Sequence, residues 1–382
     1  MNRKETAEIR RRLNPEKSNI PRVYGCYVNQ TGEIISHFQL STALMQQSDR
    51  DMYFGVFKKV LSGTPGKNRL LLEYGAKQAM DSEQNRLLRT LNETGLGYAE
   101  AREKLFQSII QSVACEENYL ILLAADAYDV PFRSKEGDYD ADRSEEVFRY
   151  FLCAVCPVKD PTFTLSYCPD ESDFRSASTG STVAPPFLGF MFPAFSGRRA
   201  NIYQVSYYAK DPKDLHGALV ENLFGLNAPM SAPAQQEAFS GSISESLESD
   251  CSFSVVQAVH EEIRDRLEMH KEARIPEEPE ITIREVGEML SDSGVKEETV
   301  NAFKADCARR FGGTAVLNPN NIVDSKRFEI TTPDAVIRVS PESSSRIELR
   351  MLEGRRYILI PADDGVEVNG IPVSLPTGEE EE

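Results

Sequence analysis

The sequence predicts an α+β protein: a mainly antiparallel sheet packed with helices, followed by a helical segment and a small β-rich C-terminal module. Three observations carry this expectation. Two runs, NYLILLAADAYDV (118–130) and FRYFLCAVCPV (148–158), are almost continuously apolar, as strands covered on both faces must be. Segments with apolar residues at helical spacing flank them and supply faces to cover a sheet. Glycine-bearing turns join the β-rich runs, and short turns connect antiparallel rather than parallel neighbours.

Along the chain, residues 4–13 form a short amphipathic helix that stops at Asn14-Pro15, with Arg10, Arg11 and Arg12 as its charged end. Two β-rich runs, 22–28 and 33–40, flank Asn29–Gly32, a hairpin signal in which Gly32 supplies a positive φ. A helix is expected over 49–61, where Met52, Val56 and Val60 repeat every four residues. The stretch SGTPGKN (62–68) resembles a phosphate loop but lacks its spacing and its Ser or Thr after Lys67, so it reads as a turn into a strand over 69–74. Helices near 77–93 and 98–113 each carry one apolar face, Leu87, Leu88 and Leu91 on the first and Leu105, Ile109 and Ile110 on the second. The runs FLGFMFPAF and NIYQVSYYAK flank SGRRA, a turn of hairpin length.

Residues 1–225 therefore read as one α+β domain. Residues 226–252, rich in Ala, Pro, Ser and Gln, read as a linker or surface excursion, and 253–313 as a helical segment. Within the latter, Thr282 and Glu285 form a capping box, and Gly312-Gly313 ends the last helix. Residues 314–376 form the small β-rich module, with Glu353-Gly354 and Asn369-Gly370 as its hairpin turns, and 377–382 an acidic tail.

The chain has 382 residues and a formal net charge of −17, which disfavours broad binding to nucleic acid or anionic membrane. No apolar run approaches the roughly 18 residues that span a bilayer. The start, MNRKETAEIRRRL, has no apolar core of a secretory signal, and seven cysteines without regular spacing suit a reducing compartment. A cytoplasmic location is expected.

Several segments together resemble one family: EIRRRLNPEKSNIPRVYGCYVN, NYLILLAADAYDVPFRSK, FLCAVCPVK, LGFMFPAFSGRRANIY and YILIPADDGVEVNGI. They are similar to the bacterial proteins grouped as domain of unknown function 4317, found largely in Firmicutes, and the resemblance covers nearly the whole chain. The family's name carries no activity, so the resemblance implies no catalytic residue.

Candidate sites must come from the residues. Cys153 and Cys156 have C-x-x-C spacing, but there is no second pair to complete a zinc site, and residues three apart on a strand point to opposite faces. Buried structural thiols are the favoured reading. Asp138, Asp140 and Asp142 resemble the start of a calcium loop, yet Arg143 and Arg149 stand where that loop needs Gly and Glu. Asp126 and Asp129 end an apolar strand, and Arg133, Arg198 and Arg199 are candidate partners, as a structural ion pair or as a ligand or catalytic site. The four histidines share no metal-ligating spacing, and no G-x-S-x-G elbow is present. SGRRANIYQVSYY (196–208) has the ingredients of a single-strand nucleic-acid platform, and 282–311 those of a helix-turn-helix, both against an acidic background. No cofactor is expected. The favoured expectation is a non-catalytic protein with a protein partner or a homo-oligomeric state. The alternatives are an enzyme with a carboxylate and arginine site at Asp126, Asp129, Arg198 and Arg199, and a nucleic-acid-binding protein.

Overall fold

The computed structural model describes residues 1–133, 139–170, 172–178, 180–313, 315–363 and 365–373, with side chains at 132–145 left aside. Two compact units divide the chain, Met1–Gln235 with Pro276–Glu278, and Gln236–Ile275 with Pro279–Glu382.

The first unit is a sheet with a helical layer on each face. In chain order its elements are α1 (Arg3–Arg12), β1 (Arg22–Val28), β2 (Ile34–Ser41), α2 (Gln47–Val60), β3 (Arg69–Glu73), α3 (Ala76–Asp81), α4 (Glu83–Glu93), α5 (Ala99–Ser112), β4 (Asn118–Arg133), β5 (Tyr139–Lys159), β6 (Phe163–Cys168), β7 (Asp173–Ser178), β8 (Thr182–Val183), β9 (Leu188–Phe192), β10 (Ala194–Ser196), β11 (Arg199–Asn201), β12 (Gln204–Ala209) and α6 (Gly217–Leu219), which runs on through Phe224. The main sheet has the order β2-β1-β4-β5-β9-β12-β3, with β8 added beside β5. Every pairing in it is antiparallel, and the α+β class is as the apolar runs predict.

Alternation along β4 and β5 builds two cores. Ile121, Leu123, Phe151 and Cys153 pack beneath Leu88, Leu91, Leu105 and Ile109 of α4 and α5. Leu120, Leu122, Leu152 and Cys156 face the other way, beneath Ile9 of α1 and Phe54, Phe57 and Val60 of α2. In the β1–β2 hairpin Phe38 lies across from Gly25, and a Cβ at Gly25 would stand 2.1 Å from the Phe38 ring. The glycine is therefore a seat for that ring. The SGRRA turn closes the small β10–β11 hairpin, with Gly197 and Arg198 both at positive φ, 61° and 59°.

Residues 226–252, expected as a linker or surface excursion, carry α7 (Ala232–Leu247). Phe239, Ile243 and Leu247 recur every four residues, and this apolar stripe packs into the second unit. Ser231 Oγ accepts the Ala234 N–H at 3.3 Å at the helix start, where Pro233 is tolerated because the first turn needs no intrahelical donor.

In the second unit α7 is followed by α8 (Phe253–Glu272), β13 (Ile281–Thr282), α9 (Ile283–Asp292), α10 (Glu297–Phe311), β14 (Val316–Leu317) and α11 (Pro319–Ile322). The capping box forms: Thr282 Oγ1 accepts the Glu285 N–H at 3.2 Å, and Glu285 Oε2 accepts the Thr282 N–H at 2.8 Å. Three hairpins follow, β15 (Phe328–Thr331) with β16 (Val336–Val339), β17 (Glu348–Leu352) with β18 (Arg355–Leu359), and β19 (Val366–Val368) with β20 (Ile371–Val373). Glu353-Gly354 and Asn369-Gly370 make the last two turns, all four residues at positive φ.

Candidate functional site

Two places in the first unit bring chemistry-bearing or unpartnered residues together. One is polar and closed. The other is apolar and open.

The polar one forms where α1 crosses the ends of β4 and β5. Asp126 is 5% exposed, and its carboxylate is ringed by partners. Oδ1 accepts the backbone N–H groups of Asn19 at 2.9 Å and Ala127 at 2.8 Å, while Oδ2 accepts the Tyr150 hydroxyl at 3.0 Å. Arg12 Nε stands 3.2 Å from Oδ2, and its Nη2 donates to the Ala127 carbonyl at 2.8 Å. Burial first, and then the Asp126 charge, push the Tyr150 hydroxyl far above the ordinary tyrosine range, so it stays protonated and donates. A second carboxylate, Glu8, accepts from Arg198 Nη1 on Oε1 at 3.1 Å and Oε2 at 3.0 Å and from the Tyr128 hydroxyl at 2.9 Å, while Arg198 Nη2 donates to the Pro131 carbonyl at 2.8 Å. Glu5 Oε1 accepts the Gly197 N–H at 2.7 Å. This network pins α1 to the sheet and to the β10–β11 turn, and it fills the positions of Asp126 that a substrate would need.

The open place lies between α2 and the chain at 182–186. It is a groove of about 1140 Å³, floored by Leu120 and Leu122 and walled by Leu40, Tyr53 and Val56. On its rim Leu44 and Met52 are 88% and 71% exposed. From the same rim, after β5 pairs Val158 and Lys159 with Val183 and Thr182 of β8, the chain makes an excursion as the β6–β7 hairpin. Its register is Phe163↔Ser178, Leu165↔Ser176 and Tyr167↔Phe174 on one side, and Thr164↔Ala177, Ser166↔Arg175 and Cys168↔Asp173 on the other. The first face is apolar, and it is uncovered: Phe163, Leu165, Tyr167 and Phe174 are 74, 73, 53 and 62% exposed.

The sequence matches, over residues 1–371, the family described as Domain of unknown function (DUF4317). The chain belongs to that family. No curated protein matches it.

In this DUF4317 chain the arginine expected beside Asp126 is a different one. Arg12 takes that place, Arg198 is held by Glu8, and Arg199 lies 3.6 Å from Glu146 on the surface. The reason is that α1, remote in sequence, docks on the strand end. Asp129, three residues along β4 from Asp126, points to the exposed side, so the two aspartates are not brought together. The side chain of Arg133 lies outside the described residues, as do Asp138 and the side chains of Asp140 and Asp142.

Cys153 and Cys156 sit in the two different cores, on opposite faces of β5, and cannot share one ion or one disulfide. Burial pushes the Cys156 thiol up to about 12 and Cys153 well above its usual value, the reverse of an activated thiol. Tyr207 and Tyr208 of the proposed stacking platform are buried at 0 and 2% exposure. In the 282–311 segment Arg310 is tied to Asp306 at 2.6 Å and to Glu245 at 2.5 Å, and α10 begins with Glu297 and Glu298. The residues missed from the sequence are those of the arm. FTLSYC alternates with period two and the Pro169-Asp170 step follows it, a legible hairpin signal.

Proposed function

We propose that the protein acts by binding protein surfaces, as a non-catalytic interaction or self-assembling protein of the cytoplasm. The observation that carries this reading is the β6–β7 arm, whose apolar face of Phe163, Leu165, Tyr167 and Phe174 is between 53 and 74% exposed. Clustered exposed aromatic side chains mark contact surfaces, because leaving them in water costs about 25 cal/mol per Å². The saturated Asp126 carboxylate supports a structural role for the polar cluster rather than a catalytic one. The cytoplasmic part of the reading is supported by seven unpaired cysteines and by the absence, among the described residues, of any helix long and apolar enough to cross a membrane.

The test is to place a photo-crosslinking amino acid at Leu165 in the producing cells. A protein adduct of defined mass is expected, and it should vanish when Phe163 and Phe174 are changed to Ser. Illumination that yields no protein adduct at this position would overturn the reading.

A further inference from the structure

We infer that the occupant of the apolar groove is the β6–β7 arm of a second copy of this chain, so that two copies exchange arms and each completes the other's groove. The inference rests on the interaction reading above and names its partner.

Both halves of the contact are present in one unit and spring from one place. Thr182 and Val183 line the groove and also pair with the end of β5 from which the arm departs. An arm rooted at the rim of its own groove, offered to a copy built the same way, meets a groove whose own arm is directed back. That is an isologous contact, which closes at two copies rather than running on as a fibre.

The surfaces match in chemistry and in size. The arm face is Phe, Leu, Tyr and Phe, and the groove offers Leu, Met, Tyr and Val side chains with only Asp49 and Lys59 charged among its lining residues. At about 150–250 Å² per buried aromatic side chain, with about two thirds of that surface open here, one arm offers roughly 400 Å². Two arms in two grooves, counting both sides of each contact, cover roughly 1,600 Å², the standard size of a stable interface. A small ligand fits less well, since the groove's 1140 Å³ exceeds the roughly 300–1,000 Å³ of ordinary ligand sites and its rim residues Leu44 and Met52 are in solvent. The arm's other face, with Thr164, Ser166, Arg175 and Asp173, remains suited to water when the apolar face is seated.

The test is sedimentation of the full chain under reducing conditions with two variants. One carries Phe163→Ser, Leu165→Ser and Phe174→Ser in the arm, the other Leu44→Glu and Met52→Glu on the groove rim. All five side chains are exposed in the single copy, so neither variant disturbs its cores. The wild type is expected to sediment at twice its 42.8 kDa mass and each variant at that mass. An equimolar mixture of the variants should regain a dimer at higher concentration, because one intact arm still meets one intact groove. A wild type that stays monomeric at about 100 µM, far above the Kd of a standard-size interface, overturns the inference. So does a dimer that survives the arm substitutions, or variants that both abolish the dimer and never complement. If the purified chain is monomeric while Leu165 still crosslinks to a different protein in cells, the second copy is excluded and the interaction reading stands.

Discussion

β5 and the arm that follows it are neighbours in the chain and opposites in environment. From Phe148 to Val158, β5 has helices over both faces, and this one stretch seats Phe151 and Cys153 in one core and Leu152 and Cys156 in the other. Beginning five residues later, β6 repeats the strand pattern with equally large side chains, yet Phe163 and Leu165 are about three-quarters exposed. β5 is paired along both edges, with β4 on one and β9 and β8 on the other, while β6 is paired along the single edge it shares with β7. The larger difference is the layer above. A strand's apolar face is a demand for cover, and in β5 the chain meets it with α1, α2, α4 and α5, whereas in the arm the demand is left for another surface to meet.

The comparison breaks first, and by the largest margin, at the cysteines. Cys153 and Cys156 in the native protein should react with an alkylating reagent only through global opening, about a thousandfold or more slower than Cys168 on the arm's polar face, as mass spectrometry of the labelled peptides would record. Next come the core substitutions. Phe151→Ala should cost about 3–5 kcal/mol in urea unfolding, the usual range for emptying a buried aromatic site. Arg12→Met, which leaves Asp126 buried beside Tyr150 without its cation, should cost about 3 kcal/mol or more, and Arg12→Met with Asp126→Leu should recover part of the loss.

These expectations separate what the sequence makes legible from what it does not. The continuous apolar runs around Leu122 and Leu152 announce strands covered twice, and Asn369-Gly370 and Glu353-Gly354 announce turns that need positive φ, because each signal is local. The opposite facing of Cys153 and Cys156 follows from strand period alone. The ion pair of Asp126 was not legible, since its partner Arg12 lies 114 residues away and only the docking of α1 joins them. The helix at Ala232–Leu247 was obscured by Pro233 and by a run of small residues, although Phe239, Ile243 and Leu247 carry its period. For the arm, F-T-L-S-Y-C fixes a two-faced strand but says nothing of whether a layer lies over it, which is a property of the whole packing.

A smaller effect tests the helical cover of the sheet by pH. Burial lowers the His216 pKa, against the opposing pull of Asp214, so the folded unit disfavours the protonated ring. The unfolded chain takes up the proton first, so stability is full above about pH 6.5 and falls as the pH drops through that value toward the lower folded pKa. His216→Asn, which suits the residue's left-handed φ of 49°, should flatten this decline in urea midpoints, and the arm, which contains no histidine, should contribute nothing to it. Smallest of all, Phe163→Ser should change the stability of the dilute single copy by no more than about 0.5 kcal/mol, because the residue is already 74% exposed in that copy.

The chain contains no tryptophan, so Tyr167→Trp places a single indole on the apolar face of the arm. Its emission is the most direct measure of whether that face is covered in the working protein. A blue-shifted, quencher-shielded spectrum is expected in the concentrated purified chain, moving to that of a solvated indole on dilution. The spectrum of a solvated indole at every concentration, up to about 100 µM, would contradict a covered arm face.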